Sequence, residues 1–584
     1  VRCQTVNLVE LALYCQLNQE RDQMPDRINR SNTVTSNKKQ GAKTRAIGLA
    51  ILIMAVAGIS IAQTLPGAST SSVAQSTADN AAAPAATSPL AIDDDRQALF
   101  AAIEARARTL AGENYRPLKV DMPRELSDMN YEQYRSILFR PEAALWRNEA
   151  LFEIQLFHPG FLYQEPVVMH MASPGSDSIL QFKQEYFNYV GQAEPIAGKV
   201  PSTLGFAGFR VHYPLNSNEH KSEFLVFLGA SYFRLIGPGQ VYGLSARALA
   251  IDTAEPSGEE FPVFREFWLL KPQPQQTHLV IYALLDSPSV AGAYRFEVTP
   301  GAPTEMLVEA SLFARKDVKK LGIAPLTSMY LHGENHVRPT DDFRPEVHDS
   351  DGILLATSND EWIWRPLSNH RALRISSLAD ENPRGFGMLQ RDRDFNHYMD
   401  MEALYHLRPS LWVTPQGDWG KGRVELVEIP TDTEVHDNMV AYWVPEQPLK
   451  AGEQRSFSYR LRSFDHHLPE QNTAKVVRTL TGWGAIPGQS NPPPRSKRQF
   501  AVDFSGAELE NLPADAPLEA EFENTSGSMT DLMVRQLPDK KTWRASFKLE
   551  PEGNKTVDMR LAIKLRDQRL TEVWSYVWYP DAVQ

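Results

Sequence analysis

Residues 424–444 read VELVEIPTDTEVHDNMVAYWV. Two runs within it, 424–429 and 439–444, are rich in the β-branched and aromatic residues that fit a pleated surface. Between them, residues 429–438 hold Pro430 together with the Thr, Asp and Asn residues that favour turns. The segment therefore reads as strand, loop, strand. The loop packs Asp432, Glu434, His436 and Asp437 into a short span. A solvated polar turn has the same composition, and Glu-x-His-Asp matches no familiar metal-ligand spacing. Catalytic groups also gather on loops held by rigid sheets, so the loop is a candidate site.

The strand pattern extends in both directions. From about Tyr131 onward, short runs rich in Val, Ile, Phe, Tyr and Thr recur between Gly, Pro, Asn and Asp. Examples are 223–228, 278–285, 294–298 and 305–313. Long helical periodicity is largely missing, which points to an all-β fold, a large antiparallel β-sandwich of roughly 350 residues. Its concave face would be a natural cleft for an extended ligand. A polar connector spans 463–473, and further strand-like runs follow at 499–504, 544–549, 559–565 and 573–578. This tail has the size and strand spacing of an immunoglobulin-like β-sandwich. One helix is expected near the start of the large domain. Asp94 or Asp95 would cap it, Leu99, Ile103, Ala107 and Leu110 would share one face, and Gly112 would end it.

A chain of 584 residues is too long for one simple core. Its net charge of −12 argues against a nucleic-acid surface. Lys38, Lys39, Lys43 and Arg45 precede an apolar run over 46–61, and Ser60-Ile61-Ala62 fits a small-x-small cleavage site. The expected organisation is a signal peptide with an upstream extension over 1–62 and a flexible Ala/Ser/Thr/Pro-rich linker over 63–90. The large sandwich follows over 91–464, a link over 465–476 and the immunoglobulin-like domain over 477–584. Cleavage would remove the only cysteines, Cys3 and Cys15, leaving a mature chain suited to an oxidising compartment without disulfides.

Zinc-protease, Walker and nucleophile-elbow motifs are absent from the sequence. Gly237-Pro238-Gly239 fits a turn better than a nucleotide fingerprint. Three acidic stretches remain: the loop above, the run from Glu346 to Gly352, and Arg391-Asp392-Arg393-Asp394 leading to Asp400, Glu402 and Tyr405. The interleaved charges at 391–394 read as a salt-bridged strand, and Asp351 before Gly352 as a turn. Glycoside cleavage needs one protonated carboxyl for the leaving oxygen and one ionised carboxyl for water or the sugar. Sugar rings also stack on aromatic faces; Trp362, Trp364, Trp412 and Trp443 lie nearby in sequence, with a place in the core as the other reading.

These residues carry a family resemblance. YEQYRSILFRPEAALWR at 131–147, LGFAGFRVHYP at 204–214, LGASYFRLIG at 228–237, YGLSARALAIDT at 242–253, EWIWRPL at 361–367 and ENPRGFGMLQRDRDF at 381–395 resemble the periplasmic osmoregulated glucan biosynthesis proteins. FAVDFSGAELENL at 500–512, and a leader without a twin-arginine motif, look more like the G type than the D type. The resemblance implies a galactose-mutarotase-like sandwich joined to an immunoglobulin-like domain, a periplasmic location and no cofactor or metal. It implies β-1,2-linked glucan as substrate, with the inner-membrane glucan glucosyltransferase as a further partner. In that family an acid falls in a Glu-x-x-Asp-Asn loop and a base in a His-Asp-Ser-Asp stretch. Here these are Glu434 to Asn438 and His348 to Asp351, so Asp437 would be the acid, Glu434 its neighbour and Asp349 the base. Tyr405, ahead of Arg408-Pro409-Ser410, would help carry the proton. Trp362, Trp364, Arg408 and Trp412 are expected to bind the sugar chain. Like-charge repulsion from Glu434 is expected to raise the pKa of Asp437. Some G-type members lack the second Asp of the base stretch, present here as Asp351. The competing readings are an enzyme that cleaves or transfers glucan with inversion, a non-catalytic protein that guides nascent glucan, and a mutarotase-like isomerase.

Overall fold

Strand Leu279–Asp286 is buried along its whole length, and the reason lies on its two faces. Ile281, Ala283 and Leu285 point into one hydrophobic cluster, whereas Val280, Tyr282 and Leu284 point into another. A strand covered on both sides reads as a continuous apolar run, because successive side chains alternate between faces. The inner face packs on a second sheet; the outer face is covered by helix Leu90–Ala111 through Leu99, Phe100, Ile103, Ala107 and Leu110. The helix begins upstream of the expected caps Asp94 and Asp95 and ends at Gly112, whose N–H donates to the carbonyls of Arg108 and Thr109.

The computed structural model describes residues 90–118, 122–173, 176–336, 341–465 and 467–580. The expected signal peptide, and the linker but for its last residue, lie outside them. Among the described residues, a ten-stranded and a fifteen-stranded sheet dominate, and nearly all pairings are antiparallel. They face each other across a large core in which Phe209, Phe227 and Phe233 of one sheet meet Phe264, Phe267 and Phe296 of the other, with edge-on ring contacts such as Phe227–Phe296 at 5.1 Å. Each such ring taken from water contributes about 1.5–3 kcal/mol. The protein is an all-β sandwich, as its strand pattern predicts.

The C-terminal strands form a smaller sandwich with an unforeseen join. Lys475–Trp483, Arg498–Ser505, Trp543–Glu550 and Ser528–Gln536 make a four-stranded sheet. The opposing strands, Leu518–Asn524, Val557–Leu565 and Val573–Trp578, belong to the fifteen-stranded sheet itself. Val573–Trp578 runs parallel to Trp362–Pro366, pairing Ile363 with Val573 and Trp364 with Trp574. Arg391 reinforces the join: its guanidinium lies 3.6 Å from the Trp364 ring centroid and forms two contacts, 2.5 and 3.0 Å, with the buried carboxylate of Glu572.

This join overturns one expectation. Trp362, Trp364 and Trp412 are 7%, 3% and 3% exposed and belong to the core shared with Phe500, Phe547 and Trp574. Trp362 and Trp412 stack at 5.8 Å. Their ring faces are taken by neighbouring side chains, so they hold the two sandwiches together instead of lining an open sugar groove. The expected salt-bridged strand at 391–394 is also absent. Asp392 pairs with His397 at 2.5 Å, and Asp394 caps the short helix Phe395–Tyr398 by accepting from the Asn396 N–H.

Candidate active site

Two acidic side chains almost ninety positions apart are held by one stretch of backbone. The Asp349 N–H donates to the Met329 carbonyl at 2.8 Å, next to the short ladder in which Tyr330 pairs with His348. The Asn438 side chain grips the following residue from the other side. Its Oδ1 accepts from the Tyr330 N–H at 2.8 Å, and its Nδ2 donates to the Tyr330 carbonyl at 3.0 Å. The Ile429 N–H donates to the Asn438 carbonyl at 2.9 Å, which closes the neck of the acidic loop. Asn369 fixes the far side of that loop by donating to the Thr431 carbonyl and accepting from its N–H. Asp437 and Asp349 are thereby placed in one electrostatic neighbourhood.

Asp437 is 5% exposed and Asp349 2%. Burial pushes the Asp437 carboxyl up to about 7; the negative charge of Asp349 adds to the rise, while the Arg234 and Arg408 cations oppose it. Arg234 Nη2 approaches Asp437 Oδ2 only to 3.9 Å, and this oxygen has no hydrogen-bond partner. Asp349 differs. Arg408 donates directly to its Oδ1. Burial lifts the Asp349 carboxyl above the usual range against the pull of Arg408, Arg234 and His348. Two carboxylates in one buried site share a proton unequally. Direct contact with a guanidinium favours the ionised form, so the proton belongs on Asp437 and the charge on Asp349.

Arg408, expected to touch sugar, is itself buried. Its Nε donates to the Ala403 carbonyl at 3.0 Å, and its guanidinium sits 4.3 Å from the Tyr405 ring centroid. Gly243 makes room for it, since a Cβ there would come within 2.9 Å of the arginine side chain. Tyr405 donates its hydroxyl to Glu434 Oε2 at 2.7 Å. Burial, with Glu434 and Asp349 adding to it, holds the Tyr405 proton well above the ordinary phenol range. Glu434 is also gripped by Arg344 Nη1 at 2.8 Å, and the same nitrogen reaches Asp400. The loop thus splays Glu434 and Asp437 apart: Glu434 turns to Arg344 and Tyr405, and the carboxylate that raises Asp437 is Asp349. Arg234 and Arg344 are the members of this network that sequence reasoning missed. Arg234 lies within the LGASYFRLIG stretch as a cation among apolar strand residues, a pattern that flags a buried charge needing a carboxylate.

The base stretch also contains a buried histidine. Burial disfavours the charge, but Asp351 and Glu346 carry the His348 imidazole up to about 9. Glu346, His348 and Asp351 have ligand atoms within 4.8 Å of one another, the spacing of a metal site. Gln390 spends its Nε2 on the carbonyls of His348 and Tyr405, so its Oε1 accepts from His348 Nδ1 at 3.0 Å. His348 Nε2 lies 2.9 Å from Glu346 Oε2. These contacts place a proton on Nδ1; Nε2 then either carries a second proton toward Glu346 or turns its lone pair to a cation held with Glu346 and Asp351. In the doubly protonated state the trio is an ion-paired cluster adjoining Asp349. Asp351 in turn accepts from the N–H groups of Arg391 and Asp392.

The outer side of the acidic loop lines a groove. Pro430, Thr431, Asp432 and His436 border a cavity of about 640 Å³ whose other wall includes Tyr579. Asp437 and Asp349 are buried, and neither lines this groove.

The family model described as periplasmic glucan biosynthesis protein, MdoG, matches residues 99–578. A protein named glucans biosynthesis protein G from Shewanella frigidimarina (strain NCIMB 400) is 44% identical over 474 residues, covering 81% of this chain and 83% of that protein. Among solved structures, the GH36 α-galactosidase AgaA of Geobacillus stearothermophilus aligns over 44% of this chain and 40% of its own at 9% identity, with a TM-score of 0.25. Slr1438 of Synechocystis sp. PCC 6803 aligns over 53% of this chain and 99% of its own, also at 9% identity, with a TM-score of 0.21. Among the described residues no helix is long and apolar enough to cross a membrane. With the family model spanning most of its length and a close sequence relative of the same description, the chain belongs to the MdoG family of periplasmic glucan biosynthesis proteins.

Proposed function

We propose that this protein shapes periplasmic glucan by cleaving or transferring β-1,2-linked glucosyl chains with inversion at the anomeric carbon. The observation that carries the reading is the unequal pair. Asp437 is pushed up to about 7 and has an oxygen without a hydrogen-bond partner, beside Asp349 in direct contact with Arg408. In this reading Asp437 donates its proton to the departing glycosidic oxygen as the bond to the anomeric carbon breaks. A water, or a sugar hydroxyl in transfer, attacks from the opposite face and loses a proton. Tyr405, able to accept a hydrogen bond while donating one, passes that proton through ordered water toward Asp349. Arg408 steadies the charge on Asp349, and Arg344 holds Glu434 so that the Tyr405 hydroxyl keeps its direction. Because the pair is not in an ordinary inverting arrangement across one water, a separation of ~6.5–9.5 Å is not required.

Both carboxylates are buried, so in this reading their cover opens to admit a chain, with the loop 430–438 as the element proposed to move. The same burial favours a second reading, a protein that binds nascent glucan and guides it from the membrane glucosyltransferase without cutting it. One experiment separates the two. Purified protein is incubated with linear β-1,2-glucan, and chain length and reducing ends are followed. New reducing ends or redistributed lengths, lost in Asp437→Asn with binding retained, support the enzyme. Unaltered chains that remain bound to the native protein refute it in favour of the carrier.

A further inference from the structure

The strands that carry the candidate active site have another end. Met439–Pro445 starts two residues after Asp437 and finishes at Pro445; Ser410–Gln416 starts two residues after Arg408 and finishes at Gln416. Pro445 and Gln416 both line a groove of about 710 Å³ where the two large sheets part. At ~3.3 Å per residue, the eight residues from Asp437 to Pro445 set the groove about 25 Å along the strand from the acidic pair. We propose that this groove is a second glycan-binding site, taking a neutral hexose chain with Trp419 as its platform.

Trp419 sits in the short connection by which the chain crosses from Ser410–Gln416 in the fifteen-stranded sheet to Lys421–Glu428 in the ten-stranded sheet, with Gly417 and Gly420 on either side in left-handed conformations, φ +76° and +70°. Such a turn favours glycine, and it holds the indole at the groove wall. The connection is pinned: the Gly420 N–H donates to Asn382 Oδ1 at 2.6 Å, and the Asn382 N–H donates back to the Gly420 carbonyl at 2.9 Å. The Trp419 Nε1–H is spent on the Ser458 carbonyl at 3.2 Å, and Phe457 and Tyr459 wedge the ring edge-on. What the half-buried ring offers the groove is therefore carbon surface, the surface against which a sugar ring stacks.

The rim supplies the polar part. Glu381, Asp418, Gln416 and Glu446 bring oxygen acceptors that can take paired sugar hydroxyls, and Lys421 brings donors. Arg455 is occupied, donating to the carbonyls of Gln447 and Pro448. The lining carries four carboxylates, Glu309, Glu381, Asp418 and Glu446, against two cations, Lys421 and Arg455, so the balance is acidic and an anionic ligand is disfavoured while a neutral polyol is not. The volume falls within the ~300–1,000 Å³ of organic-ligand sites. The choice of a hexose chain rests on this chemistry and on the glucan of the family; the roles given to Asp437 and Asp349 do not enter. A second hold on a polymer would raise its effective concentration at the first site.

The test uses the full chain carrying Asp437→Asn and linear β-1,2-glucan long enough to span the molecule, with amide hydrogen exchange followed by mass spectrometry. Protection of 416–421 and 446–449 on adding glucan, with apparent affinity lowered about tenfold by Trp419→Ala, is the expected result. The double variant Glu446→Ala/Gln447→Ala alters exposed side chains only and is expected to lower affinity at least threefold. It keeps the test alive should Trp419→Ala fail to fold. Glucan protection confined to 430–438 would overturn the second site and leave the proposed function standing. Protection at the far groove without any at 430–438 would support the second site and count against the proposed function. Protection of the groove by a cationic peptide, and not by glucan, would also overturn the inference.

Discussion

Replacing Asp437 by Asn should make the protein more stable, and more so as pH rises. The native carboxyl is pushed from 3.8 up to about 7 by burial. The unfolded chain releases this proton near the ordinary value, whereas the folded chain retains it until about 7. Between those limits the folded state binds more protons, so the stability held by this group at low pH is lost as pH rises through the window. One pKa unit corresponds to about 1.4 kcal/mol. Integrated from pH 5 to 8, the difference is about 2–3 kcal/mol. For a folded body of this size ~1 kcal/mol moves Tm by about 1 °C. Asparagine keeps the shape and does not titrate. Thermal melts of native protein and Asp437→Asn, buffered between pH 5 and 8, should therefore show a Tm difference growing by about 2–3 °C toward pH 8 in favour of the variant. A difference independent of pH, or one growing toward acid, would refute the claim that a buried, weakly paired carboxyl sits there. Subtracting native from variant removes the other titrating groups, which both proteins share.

Asp349→Asn should behave in the opposite way: it leaves the buried Arg408 cation without its carboxylate, a loss of roughly 3–5 kcal/mol, and denaturant melts with an unchanged midpoint would contradict the pairing. Trp412→Ala should destabilise by about 3–5 kcal/mol while the folded fraction keeps native glucan affinity, since the ring is core; a selective loss of binding would return Trp412 to the sugar groove. For His348, held up to about 9, the folded-state charge contributes stability that is full below the ordinary histidine range and lost as pH rises toward 9. In His348→Gln that alkaline loss should flatten between pH 7 and 9, and an unaltered slope would show the imidazole is not charged.

Strands with one wetter face were legible because alternation survives in the sequence; the strand read at 544–549 is Trp543–Glu550 in the structure. The meeting of the acidic loop with the His348–Asp351 stretch was not legible from local pattern. It depends on Asn438 gripping the Tyr330 backbone across 108 positions, and an Asn side chain leaves no periodic trace. Family resemblance, and not spacing, brought the two stretches together on paper. Glu434 was misjudged because three residues of loop were taken as proximity, when the loop turns its carboxylates in different directions. The tryptophans were misjudged for a related reason. Trp362 and Trp364 share one face at a spacing of two, which fits a sugar platform or a core equally; the matching signal was Trp574, Tyr576 and Trp578 far downstream.

The parallel pairing of Ile363 with Val573 sets an order of events. Until the last strand arrives, Trp362–Pro366 is a bare edge with two indoles beside it, a template for wrong partners. A chain threaded amino-end first across a membrane would present that edge before its cover had crossed. Truncation near residue 476 should therefore yield aggregates in place of a smaller working protein, and any holdase that escorts this chain would have its natural target at residues 362–366.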